Sequence, residues 1–373
     1  MAVVARVFLD EMHEHPSEVR GRAVGPRHRD RGIESTAVPE AKFRLLTLST
    51  AGFPRRQWWR WPGAALTNLF GLFQAFTILL TEKPKAVLGT GGYVSGPVSF
   101  AAWVLRIPLL LQEQNSIPGV TNRLLSRIAN EVHLSFLEAR SHFPRRDHLK
   151  VTGNPVRSYL LSGDREPSLR EFKLSTNKPT LFIFGGSLGA KRINAAAVDA
   201  LRRLKGRVDV QCILQSGKED LESVKATVAA EELPATVLPF VRKMHLAYAA
   251  ADLVVCRAGA MTLAEIAVCG RPSILVPYPF AAHDHQRVNA QNLADRGAAV
   301  VIEDAELTGE RLAKEVAALQ RVRQAAASLP SVAPRAEVTE ILLRRGRELA
   351  PQPPPRWSLA RLLLRPSFAG VFL

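Results

Sequence analysis

Short apolar runs, each closed by a polar or glycine-rich turn and followed by a helical pattern, recur along most of this chain. The clearest instance spans Ala251 to Gln286. Leu253 to Val255 is an apolar run, Ala258-Gly259-Ala260 a turn of small residues, the stretch through Glu265 a helix that stops at Cys269-Gly270, and Ser273 to Val276 a second run after Pro272. The pattern predicts a β-α-β unit with parallel strands and a right-handed crossover. Ligands of such sheets bind at the carboxyl ends of the strands. Small residues in the turn admit close approach to the backbone, and the amides that open the next helix favour an anion such as a diphosphate. Glu265, one turn into that helix, is a poor partner for phosphate but suits a pair of sugar hydroxyls; its bland alternative is a solvated helix carboxylate.

The same alternation fills both halves of the chain. Lys85 to Leu88 runs into the glycine-rich stretch Gly89 to Pro97 and a helix beyond, Ile107 to Leu111 ends at Gln112-Glu113-Gln114-Asn115, Val132 to Phe136 predicts another strand, and Val151 to Arg157 closes the first half. Residues 158–178 are polar and irregular and read as a linker. Leu181 to Phe184, the loop Gly185 to Ala190 and a helix from Ile193 to Leu204 open the second half, with further strands expected at Val210 to Leu214, Thr236 to Phe240 and Ala298 to Ile302. A lone glycine loop of this kind is a weak signal, but its repetition is not. The expected fold class is α/β, with two Rossmann-like domains facing a cleft. Their expected bounds are 1–157 and 179–345, with a Pro-rich basic tail at 346–373 that reads as disordered or membrane-grazing. Val3 to Leu9 has a short strand pattern, but Glu11 to Asp30 has neither period, so the first domain reads as incomplete at its N-terminus.

One stretch departs from the alternation. Pro54 to Trp61 sets three tryptophans among three arginines, and Leu66, Leu69, Phe70, Phe73 and Leu80 then fall on one side of a helix, with Thr67 and Asn68 away from it. Such a helix suits a bilayer interface or, equally, a core with a surface aromatic cluster. Gly63 to Leu80 is just long enough to span a membrane, though Thr67, Asn68, Gly71, Gln74 and Thr77 interrupt it.

The 373 residues carry 50 Lys plus Arg against 34 Asp plus Glu, a formal charge of +16, which implies an anionic partner. No basic-aromatic strand motif of single-strand binders is present, so nucleic acid is not expected. Cys212, Cys256 and Cys269 are odd in number and lack metal-ligand spacing, which favours a reducing compartment, and nothing in Met1 to Asp30 has the apolar core of an export signal.

Several of these stretches together resemble the MurG family: Gly91 to Pro97, Glu113-Gln114-Asn115 with Pro118-Gly119 and Thr121-Asn122, Gly153-Asn154-Pro155-Val156-Arg157, Gly185 to Ala190, Arg257 to Glu265, and Asp284-His285-Gln286. The match runs from about Arg31 to about Leu343. The resemblance implies a GT-B glycosyltransferase, peripheral on the cytoplasmic face of the cell membrane. It would transfer N-acetylglucosamine, with inversion, from UDP-N-acetylglucosamine to a lipid-linked muramoyl pentapeptide. Nucleotide-sugar contacts carry over to Asn115, Arg157, Ser187, Val241, Ala260, Met261, Thr262, Leu263, Ala264, Glu265 and Gln286. Arg157 and Ser187 suit diphosphate oxygens, Glu265 the ribose, Asn115 and Gln286 sugar hydroxyls, and Val241 offers its backbone near the uracil. No Asp-x-Asp pair is present, so neither metal nor cofactor is expected and protein groups must stabilise the leaving UDP. Expected partners are the two substrates, an anionic membrane surface and other cell-wall enzymes.

The chain also departs from that pattern. The family opens with a strand and a Gly-Gly-Thr-Gly-Gly-His loop whose histidine is a leading candidate for the base; this loop is absent here, and Gln112 stands where a histidine usually precedes Glu-Gln-Asn. Glu113, at a strand end in the first domain, is nominated for the base, and His283 and His285, near Gln286 in the second, are the other nominees. Three accounts stay open: an N-terminus replaced by start choice or frameshift, an active enzyme with another base, and a UDP-sugar-binding scaffold without turnover. A transferase acting on a different lipid acceptor is the alternative within the same architecture.

Overall fold

Runs such as Leu109 to Leu111 and Leu181 to Ile183 have no polar alternation because both faces of the strand are covered, which is the signature of a parallel sheet between helices. In this computed structural model residues 20–26, 44–52, 59, 61–281, 284–318 and 369–372 are described. The chain divides into two units, Met1–Arg157 with Ala333–Leu373, and Ser158–Val332.

The first unit contains β1 (Arg20–Pro26), β2 (Arg44–Leu48), α1 (Trp61–Glu82), β3 (Val87–Gly89), α2 (Ser95–Val104), β4 (Leu109–Glu113), α3 (Val120–Leu125), β5 (Glu131–Leu134) and β6 (Leu149–Val151). The second contains α4 (Arg165–Glu171), β7 (Thr180–Phe184), α5 (Lys191–Leu204), β8 (Gln211–Gln215), α6 (Leu221–Ala230), β9 (Ala235–Leu238), α7 (Met244–Ala250), β10 (Leu253–Cys256), α8 (Ala260–Val268), β11 (Ser273–Leu275), α9 (His285–Ala294), β12 (Ala299–Val301) and α10 (Gly309–Ala317). A last strand, β13 (Ala369–Phe372), returns to the first unit.

In the second unit the sheet order is β12-β11-β10-β7-β8-β9, with every neighbouring pair parallel. The chain winds outward from β7 in one direction and from β10 in the other, so the switch point lies between these two adjacent strands. Leu181, Ile183, Val255 and Ile274 meet Ile193, Ala197 and Leu201 of α5 in one core, and Leu312 and Val316 of α10 close it. In the first unit the order is β2-β1-β13-β3-β4-β5-β6, again parallel throughout. Leu48, Leu79, Val98, Leu109, Leu111 and Leu134 are its centre.

Three expectations change. Residues 20–26 form a strand although Arg-Gly-Arg-Ala-Val-Gly-Pro shows no period, because a partner lies on each side: Arg22 to Pro26 pair with Arg44 to Leu48, and Arg20 to Ala23 with Ala369 to Phe372. The linker 158–178 is not irregular throughout, since it contains α4, whose Arg165 holds Asp252 at 2.7 Å and donates to the Ala250 carbonyl. The tail 346–373 is not wholly an extension: Ala369–Phe372 occupies the gap between β1 and β3. The strand pattern at Val3 to Leu9 lies outside the described residues.

α1 turns most of the predicted apolar stripe outward, the first of the two readings its pattern left open. Ala64, Gly71, Ala75 and Leu79 face inward, while Leu66, Leu69, Phe70 and Phe73 are exposed and Leu80 is half-buried. Gly71 is required because a Cβ there would sit 2.2 Å from the Ser49 carbonyl oxygen. Asn68, away from the apolar stripe as its spacing predicts, brackets the backbone of Ala51 with bonds of 3.1 and 2.9 Å, and Gln74 accepts from the Ser49 amide at 2.8 Å. The N-terminal part of the helix docks on residues 49–51 by small and polar residues, and its C-terminal part packs Leu79 into the core, with Leu72, Phe76 and Ile78 against it.

Because β13 is interior, a proline within it removes a ladder donor and leaves a neighbouring acceptor unmatched. Val371→Pro is expected to cost about 1–3 kcal/mol in the first unit. Amide exchange should rise in β1 and β3 while β7 to β12 stay protected; unchanged protection in β1 and β3 would remove β13 from the sheet.

Candidate functional site

At the carboxyl edge of the second unit two small-residue loops emerge side by side, because β7 and β10 are neighbours with Phe184 opposite Cys256. The loop after β7, Gly185 to Ala190, is positive in φ at Gly186 (97°) and Gly189 (82°), the left-handed region that glycine enters without strain. A Cβ on Gly189 would fall 2.2 Å from the Ser216 carbonyl oxygen, so this loop lies directly on the turn after β8. Ser187 and Leu188 at its tip are exposed, and α5 then begins at Lys191 with no side chain capping its first amides.

The loop after β10 is Arg257-Ala258-Gly259, and α8 follows, also without a side-chain cap. Ala260, Met261, Leu263 and Ala264 turn their side chains into the core, so toward a ligand they can present only backbone; Thr262 is half-buried. Glu265 is buried one turn on, and the Tyr248 hydroxyl donates to its Oε2 at 3.0 Å. Burial, with the Glu265 charge as a second cause, holds the Tyr248 hydroxyl well above its ordinary pKa, so it stays a donor. Tyr248 is itself fixed edge-on against Phe182 at 5.7 Å.

Gln215, which the sequence reading passed over, joins two of these elements: its Nε2 donates to the Gly186 carbonyl and its Oε1 accepts from the Val241 amide, both at 2.8 Å. The Val241 side chain is buried. Gln286, in the first turn of α9, accepts from the Tyr278 amide at 3.0 Å and so ties the loop after β11 to that helix. His285 is half-buried beside it, and His283 lies outside the described residues. Tyr278 and Phe280 on the same loop are exposed and in edge-on contact at 5.6 Å.

The first unit has a polar edge of its own. Glu113, the last residue of β4, accepts from the Asn115 amide (3.0 Å), Asn115 Nδ2 (3.3 Å), the Gly119 amide (3.2 Å) and Asn122 Nδ2 (2.8 Å). Burial raises its carboxyl above the ordinary range, and these donated bonds pull the other way. Both oxygens are therefore committed to the chain, an arrangement that makes Glu113 a clamp for residues 113–122 and its nomination as a base the weaker reading. Gln112 Nε2 reaches the Gly153 carbonyl at 3.0 Å and Ser135 Oγ at 3.2 Å, so it ties β4 to the loop after β6. Asn115 and Arg157 are half-buried, and both belong to this unit, whereas the other expected contacts belong to the second. Among the described residues no group of His, Cys, Asp and Glu could hold a metal ion.

The model of the glycosyltransferase family 28 C-terminal domain matches residues 180–341, and that of the family 28 N-terminal domain residues 25–134. The first stretch covers both glycine loops and the second starts within β1, earlier than the resemblance seen in the sequence. Three relatives, all named UDP-N-acetylglucosamine--N-acetylmuramyl-(pentapeptide) pyrophosphoryl-undecaprenol N-acetylglucosamine transferase, align over most of both chains. The Desulforamulus reducens protein is 40% identical over 77% of this chain and 79% of its own. Those of Myxococcus xanthus and Chlorobaculum parvum are 42% identical (78% and 75% covered) and 45% identical (75% and 77% covered). The chain belongs to the MurG family. A crystal structure of Acinetobacter baumannii MurG superposes with a TM-score of 0.69 at 28% identity, covering 92% of this chain and 96% of that one. A Staphylococcus aureus MnaA–UDP structure shares the fold at 12% identity, with a TM-score of 0.64 over 94% of each chain.

The bonds around Glu113 make a prediction that separates clamp from base. Glu113→Gln turns one acceptor into a donor facing donors and is expected to cost about 1–3 kcal/mol of stability while leaving turnover measurable. A carboxyl raised in the folded state contributes most below its unfolded pKa, about 4.3, and loses that contribution as pH rises through the folded value. The stability difference between wild type and Glu113→Gln should thus narrow as pH is raised from 4; a difference that widens would contradict the raised pKa.

Proposed function

We propose that this chain transfers N-acetylglucosamine from UDP-N-acetylglucosamine to N-acetylmuramyl-(pentapeptide) pyrophosphoryl-undecaprenol, the reaction for which its relatives are named. The observation that carries the reading is the pair of small-residue loops at the switch point of the second sheet, with a buried carboxylate one turn beyond. The diphosphate takes Ser187 and the first turns of α5 and α8, where backbone N–H groups and helix dipoles favour negative charge. Glu265, held by Tyr248, accepts from the ribose hydroxyls, and the uracil lies against Val241. Gln286, Asn115 and Arg157 supply the sugar and phosphate contacts that the family pattern assigns them. The muramoyl hydroxyl attacks the anomeric carbon and gives its proton to a general base as the bond from that carbon to the UDP oxygen breaks, with the growing negative charge on the diphosphate met by these fixed dipoles.

The lipid acceptor calls for a membrane surface, and the first unit offers one. Trp59, Trp61, Leu66, Leu69, Phe70 and Phe73 on and before α1 are exposed, as are Phe100, Trp103 and Val104 of α2. α1 is long and apolar enough to cross a membrane by length and composition. With its inner face packed on the sheet and on α2, we read it as lying in the interface of an anionic leaflet on the cytoplasmic side.

A second reading, UDP-sugar binding without turnover, is favoured by one observation. The strand at the switch point of the first sheet is β13, not one leading into a Gly-Gly-Thr-Gly-Gly-His loop. UDP release from UDP-N-acetylglucosamine with an acceptor analogue decides between the two, since binding without release supports the second.

Two variants test the parts. Glu265→Ala is expected to raise KM for the donor by about tenfold or more, from the loss of one or two charge-assisted bonds. Phe70→Ser with Phe73→Ser is expected to reduce co-sedimentation with phosphatidylglycerol vesicles at least about tenfold, at 1.5–3 kcal/mol per buried side chain, with donor KM unaltered. Undiminished sedimentation would exclude this face.

A further inference from the structure

Asp304 lies just after β12, outside every stretch that the family resemblance drew on, and its side chain is about one-tenth exposed. Two arginines meet there. Arg257 approaches Oδ1 at 2.6 Å and Arg192 approaches Oδ2 at 3.0 Å. The Arg192 guanidinium also donates to the Asp304 carbonyl. Arg192 is the second residue of α5, immediately behind the Gly185 to Ala190 loop, and Arg257 opens the loop before α8. Arg257 reaches further, donating to the carbonyls of Val276 and Pro277 at 3.3 and 3.2 Å, with its guanidinium carbon 5.6 Å from the Tyr278 ring centroid.

We propose that Asp304 is a positioning residue for the nucleoside diphosphate: through Arg192 and Arg257 its one carboxylate fixes the two phosphate-type loops relative to each other. The proposal rests on the donor reading above. Three features support it. The Arg257 pair is largely withdrawn from solvent, with Arg257 14% and Asp304 11% exposed, so it is screened far less than a surface pair. The Asp304 turn is held by more than its two arginines, because α10 packs on the body of α5 so closely that a Cβ on Gly309 would meet Asp199 Oδ2, and Thr308 caps α10 by accepting from the Arg311 amide at 3.1 Å. Neighbouring Glu303 holds Arg287 at 2.8 Å, next to Gln286, so the same turn also touches the third donor-site element. Two guanidinium groups against one carboxylate leave one positive charge in excess at this edge, the sign a diphosphate needs, with its direction set by the carboxylate.

The test uses the full-length chain with Asp304→Asn and Asp304→Glu. Hydrogen exchange should show Asp304→Asn losing amide protection in 185–191 and 257–262 together, while β7 to β12 stay protected. UDP affinity by calorimetry should fall about tenfold, donor KM should rise with kcat at saturating donor little changed, and Asp304→Glu should recover part of both. Exchange that rises only at 303–306, an unchanged UDP affinity with wild-type exchange, or a loss spread evenly over the unit that Asp304→Glu does not recover would each overturn the proposal. If wild-type chain itself bound no UDP, the donor reading would fail, and the paired loss of loop protection would still decide whether Asp304 couples the loops.

Discussion

An interior strand of a parallel sheet must be hydrogen-bonded along both edges, since a buried row of unmatched amides and carbonyls costs far more than any single side chain contributes. That constraint organises the first unit. Between β1 and β3 the chain leaves room for one strand, and residues 369–372 fill it with Val371 opposite Val87 and Phe372 opposite Leu88. Without a strand there, β1 and β2 would pair only with each other, as an isolated ribbon beside a four-stranded sheet. Closing the gap from so far along the chain is entropically costly, but loop-closure entropy grows only slowly with length while the ladder bonds gained do not shrink.

The second unit meets the same constraint with local connections, and the position of its site follows. Because β7 and β10 start the two outward windings and are neighbours, their loops must emerge together at the carboxyl edge. Polar residues that end strands then hold those loops. Gln215 ends β8 and bonds across to Gly186 and Val241, much as Glu113 ends β4 and gathers Asn115, Gly119 and Asn122. In both units a side chain at the last strand position, too deep to be solvated, replaces water for backbone groups of the adjoining loop.

What the sequence made legible was what local pattern encodes. The six strands of the second unit stand out as apolar runs separated by helical ones, and the loop after β7 carries glycine where φ is positive and, at Gly189, where a Cβ would strike a neighbouring carbonyl. The strands β1 and β13 were not legible, because a seven-residue stretch with two arginines, two glycines and a proline has no period, and its pairing partner lies more than three hundred residues away. Asp304 was hidden for a related reason: its partners are separated from it by long stretches of chain, so nothing near Glu303-Asp304-Ala305-Glu306 marks it as more than a surface turn. Gln215 could have been found, since a glutamine closing an apolar strand beside a glycine loop has few uses other than bonding backbone.

α1 shows where periodicity gives the apolar face and leaves its direction open. A 3.6-residue stripe of Leu66, Leu69, Phe70 and Phe73 states that one side of the helix is apolar, but it does not state what covers that side. Close approach to the 49–51 backbone requires small residues, which Gly71 and Ala75 supply, and the exposed amides and carbonyls of that segment require hydrogen-bonding partners, which Asn68 and Gln74 supply. A leucine or phenylalanine could meet neither demand. The contact with 49–51 therefore selects the small polar face, and Leu66, Leu69, Phe70 and Phe73 on the other side are left for a medium that accepts them without hydrogen bonds, as acyl chains do.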